Sequence, residues 1–101
     1  ATGPAAGAIV ALDAPDTPPP LQLSRGSHLV VPARFLGGDT AVLMPRVDDG
    51  RVMFTLPASG GMTIVGTTDT PTTEHPATVR AARTDVRYLL HAANRFFPDA
   101  K

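Results

Sequence analysis

Ser24, Arg25, Gly26, Ser27 and His28 stand directly against Leu29-Val30-Val31-Pro32, the most strand-like run of the chain. Of these side chains an imidazole is the one suited to moving a proton near neutrality, because its ordinary pKa is about 6.5. Arg25 adds a rigid fork of donors that suits an anion, and Gly26 lets another group come close to the backbone. A histidine in a β-branched run is otherwise an outward-facing surface residue or a hydrogen-bonded core residue, and the run alone leaves these readings open. A second cluster, Thr67, Thr68 and Asp69, closes the apolar run "MTIVG". It reads either as a turn in which Asp69 caps its own backbone or as the polar wall of a pocket.

Three more elaborate chemistries fail on spacing. A Ser27, His28 and Asp69 triad would need adjacent strand residues to face one another, whereas successive strand side chains point to opposite faces. His28, His75 and His91 contain no pair at metal-ligand spacing, and the chain has no cysteine. "GTTDT" follows a strand but carries no lysine and precedes a proline, so it is not a phosphate-cradling loop.

The elements that must position these residues are legible from periodicity. Residues 4–12 predict a short helix, weakened by about 1 kcal/mol at Gly7 relative to alanine. "DAPDTPPP" ends it, and Pro18, Pro19 and Pro20 form a stiff connector, the one internal boundary. Four strand-like runs follow at 27–33, 40–44, 51–56 and 62–67. The second is apolar through its middle, as expected of a strand covered on both faces. In the third, Val52, Phe54 and Leu56 share one face, with Met53 and Thr55 on the other. "LGGD", Asp48-Asp49-Gly50 and "PASGG" supply the turns, the second being the strongest hairpin signal. Short connections make neighbouring strands antiparallel, most simply as a meander. Val86, Leu89, Leu90, Ala93, Phe96 and Phe97 then form one apolar helical stripe. Thr84 is the expected N-cap, Pro98 the stop, and Asp85 and Arg95 suit the helix dipole. The expected fold class is α+β: an antiparallel β-meander of about four strands, a C-terminal helix packed on one face and a short N-terminal helix.

The whole-chain numbers narrow the function classes. In 101 residues, nine basic side chains balance nine acidic ones, so there is no charge field to hold nucleic acid and no polybasic face for a membrane. All the basic residues except Lys101 are arginine, in an Ala- and Pro-rich chain, which looks more like coding bias than separately selected sites. A domain of this length buries only roughly two thirds of its unfolded surface. No apolar run approaches the ~20 residues of a membrane span. The absence of cysteine fits a reducing, cytoplasmic setting. The opening "ATGPAAGAIVALDA" lacks both Met and the pattern of a secretion signal, as expected of an internal piece of a longer protein.

The motifs "ATGP", "RGSHLVVP", "GRVMFTLP", "MTIVGTTDTP" and "DVRYLLHAANRFFP", in this order and spacing, resemble the middle of the FAD-dependent glycerol-3-phosphate dehydrogenases, within the wider group of amino-acid and amine oxidases. The resemblance covers essentially the whole chain. It implies that residues 1–20 are the tail of a flavin domain and its connector, with the backbone of Ala1, Thr2 and Gly3 near the cofactor. Residues 21–101 would belong to a substrate-binding cap. By the same resemblance His28 matches the active-site histidine, and Arg25, Thr68 and Asp69 join it as substrate-binding residues. The glycine-rich FAD fingerprint and the "GGK" region with phosphate-binding arginines are missing, so this segment alone is expected to bind FAD weakly and to turn nothing over. The parent would oxidise sn-glycerol 3-phosphate to dihydroxyacetone phosphate and pass electrons through FAD to quinone or oxygen. It would be cytoplasmic and peripheral to the inner membrane. Two rivals are a sibling flavin oxidase acting on an amine and a non-catalytic sheet module that pairs through its strand edges. Those edges also lead us to expect self-association of the segment.

Overall fold

The computed structural model describes residues 2–36, 38–45 and 50–99. The expected turn at Asp48-Asp49-Gly50 falls mostly outside them. The chain forms two compact units, one of residues 1–25 and 69–80, the other of residues 26–68 and 81–101.

In the first unit a 3-10 turn, Gly3–Ala5, leads into helix α1, Ala6–Asp13. This agrees with the expected short helix. None of its residues is fully buried: Ile9 and Leu12 are exposed and Val10 is half-buried. The proline segment follows without regular structure. A two-residue strand, β1 (Ser24–Arg25), then pairs antiparallel with β6 (Thr70–Pro71), an element too short to leave a periodic signal.

The second unit holds β2 (His28–Pro32), β3 (Val42–Met44), β4 (Met53–Ala58), β5 (Met62–Gly66) and helix α2 (Arg83–Phe96). The α+β class and the four-stranded antiparallel sheet are as expected. The order across the sheet is β2-β5-β4-β3. Consecutive strands β3, β4 and β5 form a meander, while β2 lies beside β5 instead of β3. The segment 33–41 is long enough to carry the chain across, and Ala33 begins it by donating its N–H to the Gly61 carbonyl at 2.8 Å.

One face of the sheet is covered by α2, which lies over β2 and β5. The core consists of Met44, Met53, Val65, Leu89, Ala92 and Ala93, with Leu29, Val31 and Val42 packed against it. The register carries two kinds of row across the sheet: Leu29, Val65, Thr55 and Val42 toward the helix, and His28, Gly66, Phe54 and Leu43 away from it.

Three expectations change. β3 is an edge strand with Met44 fully buried and Leu43 67% exposed, so it is not covered on both faces. The buried stripe of α2 runs through Asp85, Leu89, Ala92 and Ala93, with Leu90 and Phe96 exposed. The helix meets two methionines and a valine in the sheet, and alanines permit the close approach that larger side chains would block. Finally, the N-cap is Ala82 and not Thr84. Asp85 at the third helical position accepts the Ala82 N–H at 3.4 Å, which sets the start of the helix before Thr84. The end is as expected: Phe97 leaves helical geometry immediately before Pro98.

Candidate functional site

His28 is the first residue of edge strand β2, and its exposed side chain points to the face that α2 leaves open. Its imidazole makes no hydrogen bond among the described residues. Opposite it lies Gly66, which is buried. A Cβ placed on Gly66 would stand 3.0 Å from the His28 Cβ and 3.5 Å from Cζ of Phe54 on the next strand. The missing side chain is therefore the space that His28 and the Phe54 ring share.

Ser27, directly before His28, is held by every polar atom it owns. Its N–H donates to Thr68 Oγ1 at 2.8 Å. Its carbonyl accepts from the Thr68 N–H at 3.1 Å and from the Thr67 hydroxyl at 3.2 Å. Its own hydroxyl donates to Asp85 Oδ2 at 2.8 Å. Ser27, Thr68 and Asp85 are all buried, at 6%, 2% and 4% exposure. The Gly66–Thr67 peptide bond is cis. Gly26 explains the close approach of these two segments, since a Cβ there would lie 3.2 Å from Thr67 Oγ1 and 3.4 Å from the Thr68 carbonyl oxygen. The "GSH" and "GTT" stretches are thus one strapped structure.

The residues marked out from sequence divide between the units. His28 and Thr68 fall in the second unit; Arg25, Asp69, Thr2 and Gly3 fall in the first. Arg25 forms an ion pair with Glu74, so a substrate anion would have to compete with that carboxylate. Asp69 is exposed. Thr2 and Gly3 are exposed ahead of α1, Gly3 with φ of +52°, while Ala1 lies outside the described residues. His75 and His91 are exposed, and among the described residues no metal-binding group of three His, Cys, Asp or Glu side chains occurs. From sequence alone Asp85 had a part in the helix dipole and Phe54 a strand face, but neither of them, nor Gly66, was placed at the site. For Asp85 the sequence carried no signal beyond a first-turn carboxylate, which the helix dipole explains by itself.

The DAO family model, whose description is FAD dependent oxidoreductase, matches residues 1–101. The chain belongs to this family. It is 38% identical over 98 residues to a mitochondrial glycerol-3-phosphate dehydrogenase of Bos taurus, covering 95% of this chain and 13% of that protein. A probable mitochondrial glycerol-3-phosphate dehydrogenase of Dictyostelium discoideum is 37% identical over 98 residues, with 95% and 15% covered. The crystal structure of a glycerol-3-phosphate dehydrogenase from Bacillus halodurans complexed with FAD superimposes with a TM-score of 0.72 at 40% identity, over 77% of this chain and 16% of that one. The chain therefore spans only a small part of the length of these relatives.

For a member of this family, the residues present suit the border of a flavin site and not its phosphate cradle. The N-terminus of α2, where a pyrophosphate could otherwise sit, is occupied by the Asp85 carboxylate. The open sheet face offers apolar side chains, Val30, Leu56 and Phe54, beside an imidazole that has no hydrogen-bond partner among the described residues. Thr2 and Gly3 offer exposed backbone and the Thr2 hydroxyl.

Proposed function

We propose that this chain is the part of an FAD-dependent glycerol-3-phosphate dehydrogenase that presents His28 to the substrate. The whole protein would oxidise sn-glycerol 3-phosphate to dihydroxyacetone phosphate and pass the electrons to quinone. The observation that carries this is the placement of His28: an imidazole without a hydrogen-bond partner among the described residues, on the uncovered sheet face, next to a residue whose backbone is tied to Thr67 and Thr68 and whose hydroxyl is tied to Asp85. The names of the relatives supply the substrate class. Bound FAD supplies the hydride acceptor for the hydrogen on C2. The hydroxyl on the same carbon must lose its proton for the carbonyl to form, and His28 takes that proton on a ring nitrogen. A positioned base of this kind contributes about 10²- to 10⁴-fold. Thr68 supports His28 through Ser27, its hydroxyl being buried against the Ser27 N–H.

In the full-length protein, His28→Gln is expected to slow single-turnover flavin reduction by glycerol 3-phosphate by about 10²- to 10⁴-fold with flavin content retained. An unchanged rate removes His28 from the chemistry. Reduction by an amine and not by glycerol 3-phosphate would assign the protein to a sibling oxidase. No helix among the described residues is long and apolar enough to cross a membrane. The same reading places the whole protein in the cytoplasm, docked peripherally where it meets quinone, and release from membranes by salt without detergent is the expected fractionation.

A further inference from the structure

We infer that Asp85 and Ser27 form a positioning device for His28, through which the start of helix α2 sets where the imidazole stands; this rests on the reading of His28 as the base. A fold that needed only a packed helix would place an apolar side chain at position 85. A buried carboxylate there is costly unless its oxygens are satisfied. Here it accepts from the Ser27 hydroxyl at 2.8 Å and from the Ala82 N–H at 3.4 Å, joining the first turn of α2 to the residue before His28. The opposite side of Ser27 is held by Thr67 and Thr68 at the end of β5. Ser27 therefore cannot shift along or turn about β2 without breaking bonds to one side or the other. The residue it anchors begins an edge strand, where among the described residues one flank has no neighbouring strand to fix it. In-plane support from β5 and support from α2 beneath together replace that missing neighbour.

Misplacing a reacting group by about 1 Å can cost on the order of 10²-fold in rate. The test uses the full-length flavoprotein and single-turnover flavin reduction by glycerol 3-phosphate, with flavin content and KM measured alongside. Ser27→Ala and Asp85→Ala are each expected to slow reduction by about 10- to 100-fold at little change in KM. Asp85→Asn, which keeps an acceptor, should restore most of the rate lost in Asp85→Ala. In a His28→Gln background, Ser27→Ala should have no further effect, because the device acts only through the imidazole. Should Asp85→Ala fail to fold, Ser27→Ala and Asp85→Asn still complete the comparison. Equal slowing by Ser27→Ala in both backgrounds, or no slowing while His28→Gln is inactive, overturns the positioning role and leaves the base reading intact. An active His28→Gln overturns the base reading itself.

Discussion

Around His28 the decisive side chain is one that is absent. Gly66 lies between His28 and Phe54 in one row across the sheet, and a methyl group there would come within 3.0 Å of the His28 Cβ. The crowding would fall on His28, at the start of edge strand β2, which can yield only by straining the bonds that hold Ser27. Gly66→Ala is accordingly expected to reduce flavin turnover in the full-length protein by about tenfold while its melting temperature falls only a few degrees. A variant that loses its fold before its rate would show that the glycine serves packing alone. His28 drew notice at this scale because an imidazole two residues after a glycine stands out in a β-branched run. Asp85 did not, because a carboxylate in the first turn of a helix has an ordinary explanation in the helix dipole. Its second bond, to Ser27, joins residues far apart in sequence, and no local pattern announces such a bond.

At the level of elements, periodicity located the helices and strands, but which face each one buries depended on neighbours that periodicity does not show. Strand β4 alternates as its sequence predicts, yet the buried side is Met53 and Thr55, while Val52 and Leu56 are exposed. Helix α2 behaves alike: the buried alanines count little in hydrophobicity, and Phe96 counts heavily though exposed. The strand order was lost for a similar reason, since short loops bring β3, β4 and β5 together but say nothing of where β2 returns. The corrected stripe can be checked by stability. Leu89 is fully buried among Met44, Met53 and Val65, so Leu89→Ala should cost about 2–5 kcal/mol. Leu90 is 45% exposed, and Leu90→Ala should cost clearly less. Ala92 is 1% exposed, and Ala92→Leu, overfilling the close helix–sheet contact, should cost about 1–3 kcal/mol. Denaturant midpoints of these three variants, with Leu90→Ala the mildest, test the rotation; equal losses at 89 and 90 would restore the stripe expected from hydrophobicity.

For the whole molecule the relevant fact is how much apolar surface this length of chain leaves uncovered. Val30 is 54% exposed, Leu43 67%, Val52 50% and Leu56 39%, all in the second unit, and Leu43 belongs to a strand at the edge of the sheet formed by the described residues. Apolar area of this kind, when it faces water, draws a partner, and a short edge strand offers a template for one. In the full-length relatives several times more polypeptide is present to cover such a face; the 101-residue chain by itself has only another copy. The isolated chain is therefore expected to self-associate with rising concentration and to purify without a flavin absorbance band, while the same residues expressed within their flanking sequence carry flavin. Leu43→Lys should shift the isolated chain toward monomer without lowering its melting temperature, because the side chain already points into solvent. Light scattering that reports a monomer at high concentration for the unsubstituted chain would mean that the open face is tolerated in water. The sheet's apolar outer row would then require an explanation other than coverage by polypeptide or cofactor.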